Sequence, residues 1–148
     1  MMKKNGWWLL GLGAVVLYPV FSIAQVQLIT PDEARKPDGM YGKLANTRSI
    51  TRKPSIQFES PQLVDAEGFP LKVSFVARGG AMIDMKSLRV EYLKEPPIDL
   101  TSRLVRHFRA NSIEITQAQV PPGKHLLRFT IADSENRESV RVIELEAN

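Results

Sequence analysis

The sequence predicts an all-β protein, an antiparallel β-sandwich of six to seven strands with one short helical insert. Three observations lead to this fold class. Short segments between residues 55 and 145 alternate apolar and polar side chains, which is the pattern of half-buried strands. Turn-forming residues separate these segments, and no long segment carries the apolar spacing of a helix. Two sheets that pack their apolar faces together are the simplest way to bury such strands.

The clearest strand is residues 71–77, in which Leu71, Val73 and Phe75 fall on one face and Lys72 falls on the other. Such strict alternation over seven residues is typical of a strand with one buried face. The same pattern identifies the other strands. In chain order, we predict strands at residues 55–59, 71–77, 88–93, 113–115, 124–132 and 138–145.

The last of these strands has the least regular pattern. Val140 and Val142 share one face, whereas Ile143 and Leu145 fall on the other face. A β-bulge inserts an extra residue into a strand and exchanges its faces at that point. We therefore predict a bulge within residues 138–145.

The turn before the last strand, residues 133–137, has the composition of a hairpin connection. Asn136 tolerates the left-handed conformation that tight turns require, and Asp133 can accept hydrogen bonds from nearby backbone amides. We expect this segment to join the last two strands as a hairpin.

Residues 98–108 break the alternating pattern. Leu100, Leu104 and Phe108 recur at four-residue spacing, which predicts a short helix that crosses between strands. Thr101 or Ser102 is expected to cap its amino end, because hydroxyl side chains accept hydrogen bonds from the first free amides of a helix.

Residues 1–24 are predicted to be a secretory signal peptide. Lys3 and Lys4 give a positive start, residues 6–21 are apolar and uncharged, and small residues stand at Ser22 and Ala24. We expect cleavage after Ala24 and export to the periplasm or the exterior. An uncleaved membrane anchor is the alternative, because the apolar stretch is near the minimum length of a membrane helix.

Residues 25–54 are predicted to form an extended linker, and residues 55–148 the β-sandwich domain. The linker is rich in proline and glycine, with at most one helical turn after Thr30, where Pro31 and acidic residues follow a capping residue. Residues 46–53 are basic; they fit either a patch for an acidic partner or a solvated linker, and we favour the linker.

Composition excludes several classes of chemistry. The chain contains no cysteine, so disulfides, thiol nucleophiles and cysteine-ligated metals are excluded. Of 20 basic residues, Lys3 and Lys4 lie in the signal peptide, which leaves 18 basic and 16 acidic residues and a mature net charge of +2. This weak positive charge gives no support for a nucleic-acid partner.

No catalytic or cofactor-binding residue is predicted. Ser102, His107 and Asp99 are of the types found in hydrolytic triads, but they lie together on one predicted helix and lack a nucleophile motif. Asp99 is better explained as a helix-start residue. The hairpin at 133–137 offers oxygen ligands for calcium without the spacing of a known calcium loop, so no metal site is predicted.

One candidate interaction surface emerges. Arg103, Arg106 and Arg109 recur at every third residue of the predicted helix, with Tyr92 near them in sequence. Such a cluster could contact an anionic glycan, a lipid head group or an acidic protein. The alternative is a solvated helix face opposite the buried leucines, which we favour.

Two stretches of the sequence resemble a known group of domains. Residues 118–133 carry Pro122-Gly123, an alternating strand and a terminal Asp133, and residues 83–92 form a turn followed by a strand. Both are similar to bacterial immunoglobulin-like and fibronectin type III-like exported domains. The resemblance covers residues 55–145 and implies an immunoglobulin-like sandwich but no particular activity. The helical insert and the absence of a Cys–Trp–Cys core depart from the antibody pattern.

We therefore expect an exported, non-enzymatic interaction module that binds a protein or glycan in the periplasm or cell envelope. Binding could use strand pairing at a sheet edge or a surface formed by loops. The alternatives are an accessory subunit of an envelope enzyme and a structural spacer. We expect no cofactor, no nucleic acid, and membrane contact only through the signal segment before cleavage.

Overall fold

The computed structural model describes residues 24–39 and 52–148. These residues form two β-sheets that pack face to face, so the predicted all-β sandwich is confirmed at this level. The helices are short: α1 is Pro31–Ala34, α2 is Thr101–Leu104, and a 3₁₀ turn, Val105–His107, follows α2 directly. The strands are β1 Val26–Gln27, β2 Ser55–Phe58, β3 Leu63–Val64, β4 Phe69–Val76, β5 Ile83–Tyr92, β6 Ile98–Asp99, β7 Ser112–Gln119, β8 Gly123–Asp133 and β9 Glu138–Ala147.

Sheet 1 has the strand order β1-β7-β4-β2, and sheet 2 has the order β3-β9-β8-β5-β6. Most neighbouring strands are antiparallel; β1 beside β7 and β3 beside β9 are the parallel pairs. Alternate side chains of both sheets point inward and form one core. Its largest fully buried side chains include Tyr92, Phe75, Phe129, Leu127 and Ile131. Burial of such a side chain stabilises the fold by about 1.5–3 kcal/mol.

The six predicted strands are all present, but the predicted bulge in the last strand is wrong. Strands β8 and β9 pair without interruption from Gly123 opposite Ala147 to Ala132 opposite Glu138. Val140 lies on the outer face, where it is 49% exposed. An apolar side chain on an outer face made the alternation look shifted, although the strand is regular. Register shifts occur instead in β4 and, more extensively, in β5 between Asp84 and Arg89.

The helical insert is present, but its predicted cap is not. Leu100 occupies the capping position and has no side-chain hydrogen bond to offer, whereas the Asp99 carboxylate accepts a hydrogen bond from the Thr101 amide at the helix start. The Thr101 hydroxyl instead accepts a hydrogen bond from the backbone amide of Val90 in β5, at 2.9 Å. Leu100 and Leu104 are fully buried, as the four-residue spacing predicted. Beyond the two residues of β5 that pair with β6, the Thr101 side chain of the insert thus takes the place of a neighbouring strand at Val90.

The described part of the predicted linker is folded onto the sandwich. We call residues 24–39 the N-terminal strap. The strap begins with β1 and continues into α1, where Thr30 and Glu33 form a reciprocal capping box. Leu28 and Ile29 are fully buried in the core, so this segment belongs to the domain. Residues 1–23 of the predicted signal peptide and residues 40–51 lie outside the described residues.

Residues 24 and 148, the first and last of the described residues, lie at the same end of the sandwich. The Gln119 side-chain amide donates hydrogen bonds to Gln25 Oε1 and to the Glu67 carbonyl, both at 2.9 Å. The Ala66 amide bonds to the carbonyl of Asn148. We call this the terminal end; it comprises residues 24–39, 62–69, 93–97, 119–125 and 144–148. The opposite, distal end comprises residues 52–55, 76–86, 108–112 and 132–138.

Among the described residues, neither α-helix is long and apolar enough to cross a membrane.

Candidate interaction surface

The four residues predicted to form an interaction surface do not share one surface. Tyr92 is 1% exposed and belongs to the core. The Arg103 guanidinium is directed at the N-terminal strap. Arg106 and Arg109 are exposed, and Arg109 lies at the distal end. The predicted patch is divided because Arg103 lies in α2, Arg106 in the 3₁₀ turn, and Arg109 beyond both.

Arg103 fastens the N-terminal strap through a two-bond ion pair. Its guanidinium donates to both carboxylate oxygens of Glu33, at 2.5 and 2.8 Å, and also to the Leu28 carbonyl at 2.9 Å. The hydrogen bonds from Arg103 lower the pKa of Glu33 to about 2, although burial opposes this shift. Glu33 is therefore ionised at any ordinary pH, and Arg103 has a structural partner.

A second attachment of the strap lies beside a buried Tyr–His pair. His125 Nε2 lies 2.7 Å from the Pro121 carbonyl, so this nitrogen carries the proton, and Nδ1 accepts the hydrogen bond of the Tyr92 hydroxyl at 2.8 Å. Burial lowers the pKa of His125. Lys94 lies over the Tyr92 ring and pairs with Asp38 of the strap at 2.6 Å. Tyr92 and His125 are both buried, so they offer no surface to a substrate.

The carboxylates of Asp133 and Asp99, which the sequence offers as candidates for metal binding or catalysis, bind neighbouring residues of their own turns. Asp133 accepts hydrogen bonds from the Glu135 and Arg137 amides and from the Arg137 guanidinium, and Asn136 adopts the expected left-handed conformation at φ 56°. Asp99 accepts a hydrogen bond from the Thr101 amide. Within the described residues, no group of three or more histidines and carboxylates is arranged to hold a metal ion.

The distal end carries a depression lined mainly by residues with apolar side chains, which the sequence did not indicate. We call it the distal groove. Its volume is about 490 Å³, within the range of pockets that bind ligands. Met82 is the most exposed of its apolar residues, at 72%, and Val76 beside β2 is 43% exposed. The groove is lined by Phe75, Val76, Ala77, Ala81, Met82, Ile83 and Asn111.

Hydrogen bonds between backbone groups, and others made by the Ser134 and Arg137 side chains, hold the walls of the distal groove in place. The Met82 amide donates to the Ser134 hydroxyl at 3.1 Å, and the Ser134 amide donates to the Met82 carbonyl at 2.8 Å. Phe75 is fixed to Asn111 by a bond of 2.8 Å between their backbones. The Arg137 guanidinium reaches the Arg78 carbonyl at 3.0 Å and ties the two turns together. A groove fixed in this way loses little entropy when a ligand binds.

The edges of sheet 2 are less suited to binding than the groove. On one side, the Ser139 and Arg141 side chains of β9 donate to the carbonyls of Pro54 and Ile56, and β3 pairs with the end of β9. On the other side, β5 is interrupted by its register shift and blocked at Val90 by Thr101. Irregular and covered edges discourage strand pairing. Between the two modes left open by the sequence, these features favour a loop-end surface.

Charge is distributed unevenly along the molecule. The terminal end has four basic residues and eight acidic ones. The distal end has the opposite balance, with six basic residues and four acidic ones. The distal basic residues are Arg52, Lys53, Arg78, Lys86, Arg109 and Arg137, and the acidic ones are Asp84, Asp133, Glu135 and Glu138.

Comparisons of the chain with protein-family models, with curated proteins and with solved structures found no match. The function is therefore argued from the geometry and chemistry of the described residues.

Proposed function

We propose that this protein is an exported, non-enzymatic interaction module with an immunoglobulin-like fold. It holds a protein or glycan of the periplasm or cell envelope at its distal end. The observation that carries this proposal is the distal groove, which has mainly apolar side chains and hydrogen-bonded walls and lies at the end opposite residues 24 and 148.

The strand order supports the immunoglobulin-like assignment. Strands β2, β4 and β7 are adjacent in one sheet, and β6, β5, β8 and β9 are adjacent in the other. Immunoglobulin-like sandwiches have the same order, with strands A, B and E adjacent in one sheet and strands C′, C, F and G adjacent in the other. Here β2, β4 and β7 correspond to A, B and E, and β6, β5, β8 and β9 correspond to C′, C, F and G. The His125 bond to the Pro121 carbonyl, at the start of β8, resembles the corner in which a tyrosine bonds to backbone a few residues upstream.

Under the same assignment, the distal groove lies at the end of the sandwich that immunoglobulin variable domains use for binding. The groove lies beside the β4–β5 and β8–β9 turns, which correspond to the loops that immunoglobulin variable domains use for binding. Exposed methionine suits such a surface, because its flexible, polarisable side chain adapts to different partners. Loops positioned by a rigid sandwich are common binding sites.

Export is supported by the sequence of residues 1–24, with its basic start, apolar stretch and small residues before Gln25. The absence of cysteine fits a domain held together by packing alone. An accessory subunit of an envelope enzyme remains the alternative, and it would use the same groove. A structural spacer is a further alternative, in which the groove would bind nothing.

Site-specific photo-cross-linking in the producing cells tests the proposal. A photoreactive residue in place of Met82 should capture a discrete envelope partner. The matched control is a photoreactive residue in place of Leu63, which is 59% exposed at the terminal end. Capture of the same species from both positions, or of nothing from Met82, would overturn the proposed distal site. A captured enzyme would establish the accessory-subunit alternative.

A further inference from the structure

We infer that the distal groove receives a segment of a partner protein in which apolar side chains are flanked by carboxylates. This inference rests on the proposed function and names the chemistry of the partner. It follows from three features of the described residues: the apolar side chains that line the groove, the cations near them in sequence, and the difference in charge between the distal and terminal ends.

The lining defines the apolar part of the ligand. The lining combines the small side chains of Ala77 and Ala81 with the exposed side chains of Val76 and Met82. An apolar side chain placed there removes water from the exposed faces of Met82 and Val76, which is favourable roughly in proportion to the area covered. Asn111 is the polar residue of the lining and can bond to the backbone of an incoming segment.

The neighbouring cations define the charged part. Arg78 follows Ala77 directly, and Arg109 lies two residues before Asn111. Both are exposed, and neither forms a salt bridge within the described residues. The nearby carboxylates Asp133 and Glu135 are engaged by Arg137. Arg78 and Arg109 can therefore pair with carboxylates of a ligand.

Two acidic residues at this end limit the positive field. Asp84 follows the lining residue Ile83, and its carboxylate accepts a hydrogen bond from the Lys86 amide. Glu138 is exposed at the start of β9. The balance of six cations to four carboxylates still favours an acidic ligand. The opposite balance at the terminal end would orient such a partner toward the distal end during approach.

A protein segment fits these features better than a glycan or a membrane. Recognition of a sugar requires several polar side chains directed at its hydroxyls, whereas six of the seven lining residues are apolar. Adhesion to an anionic bilayer requires a broad basic surface, whereas the cations here flank a single depression and alternate with acids. A short peptide segment with apolar and acidic residues supplies an apolar side chain for the groove and carboxylates for Arg78 and Arg109.

Peptide binding to the purified exported protein tests the inference. The probe is a short capped peptide in which aspartate and leucine alternate. Its two matched controls carry lysine in place of aspartate, or serine in place of leucine. Binding is followed by the NMR signal of the Met82 methyl group, with the exposed Leu63 methyl groups as an internal reference.

The aspartate–leucine peptide should shift the Met82 signal and bind more tightly than either control peptide. Met82→Ser should weaken binding about tenfold through lost apolar contact. Arg78→Gln and Arg109→Gln should each weaken it about threefold, as exposed charge pairs do. Leu63→Ser and Arg106→Gln, which change an exposed apolar residue and an exposed cation elsewhere, should leave the dissociation constant unchanged.

Equal binding of the lysine–leucine peptide, or an unmoved Met82 signal, would overturn the inference. So would a Met82 shift produced by phosphatidylglycerol vesicles or by a sulfated glycan but not by the peptide. If the peptide fails while cross-linking from Met82 still captures a partner, the proposed function stands and only the ligand class is wrong. If both fail, the distal groove is not the binding site.

Discussion

Arg103 and Glu33 form a two-bond ion pair across 70 residues of chain, and this pair joins the N-terminal strap to the helical insert. Arg103 also donates to the Leu28 carbonyl, beside the strap residues that enter the core. Removing the carboxylate would leave a half-buried guanidinium with one of its partners. The pair is thus the main polar contact between two elements that each lie outside the regular strands.

Glu33→Gln is expected to destabilise the protein by about 1–3 kcal/mol, because charge-assisted bonds in partly buried positions contribute more than surface pairs. Urea unfolding at neutral pH measures this. The control is Asp32→Asn, which removes an exposed pair with Arg35 and should change stability by less than about 0.5 kcal/mol. Equal effects of the two substitutions would show that the Glu33 pair has no special role.

The same pair predicts a response to strong acid. The pKa of Glu33 falls from 4.5 to about 2 on folding, mainly through its bonds to Arg103. The unfolded chain therefore binds a proton at higher pH than the folded one does, so stability decreases as pH falls below 4.5. We expect the slope of stability against pH between 4.5 and 2.5 to be smaller in Glu33→Gln. An unchanged slope would contradict the assignment of the shift to Arg103.

His125 predicts a separate pH dependence at milder acidity. Burial lowers the pKa of His125 below 6.5, so the unfolded state takes up the proton first and stability falls as pH decreases below 6.5. In His125→Gln this decrease should be absent between pH 6.5 and 5, where carboxylates with ordinary pKa values stay largely ionised. The control His107→Gln should keep the wild-type decrease. Urea midpoints at several pH values measure both.

The buried residues of the strap predict a large loss of stability. Leu28→Ala should destabilise the protein by about 2–5 kcal/mol, because it leaves a cavity in the core. Leu63→Ala, at an exposed apolar position, should cost less than about 1 kcal/mol. A small effect at Leu28 in urea unfolding would mean that the strap is not part of the cooperative fold.

Loss of the hydrogen bonds in the 133–137 turn is expected to make local opening of the distal groove more frequent. Asp133→Ala removes the acceptor of three hydrogen bonds from Glu135 and Arg137. Amide exchange at Arg137 and at Met82 should become about tenfold faster, since Met82 is bonded to the adjacent Ser134. Glu138→Gln, just beyond the turn, should leave these rates unchanged. Hydrogen exchange followed by mass spectrometry detects the difference.

The sequence predicted what depends on local periodicity. The alternation in 71–77 identified β4 because each of its side chains is sorted by burial at that position. The helix start at Thr30 and the left-handed Asn136 were predictable for the same reason, since capping and turn chemistry act within a few residues. Arg103, in contrast, was assigned to a candidate interaction surface or, as the favoured alternative, to a solvated helix face, because periodicity identifies a helix face but not the partner of that face.

The features that were missed depend on contacts between distant residues. The distal groove exists because Met82 and Ser134, 52 residues apart, hold two turns together. The docking of Leu28 and Ile29 requires β7, which lies far along the chain. The apolar pair at 28–29, followed by the capping box at Thr30, was the one local signal that this segment is folded.

The pairing of β1 with β7 also constrains the order in which the protein can fold. Val26 lies opposite Ala118, so the strap has no place to dock until the chain has extended through β7. Contacts of such long sequence separation form slowly, because a large loop must close before they stabilise anything. During synthesis the strap therefore waits while most of the domain is made. Until then Leu28 and Ile29 have no place in the core, so these apolar side chains stay exposed while the residues up to Gln119 are being made.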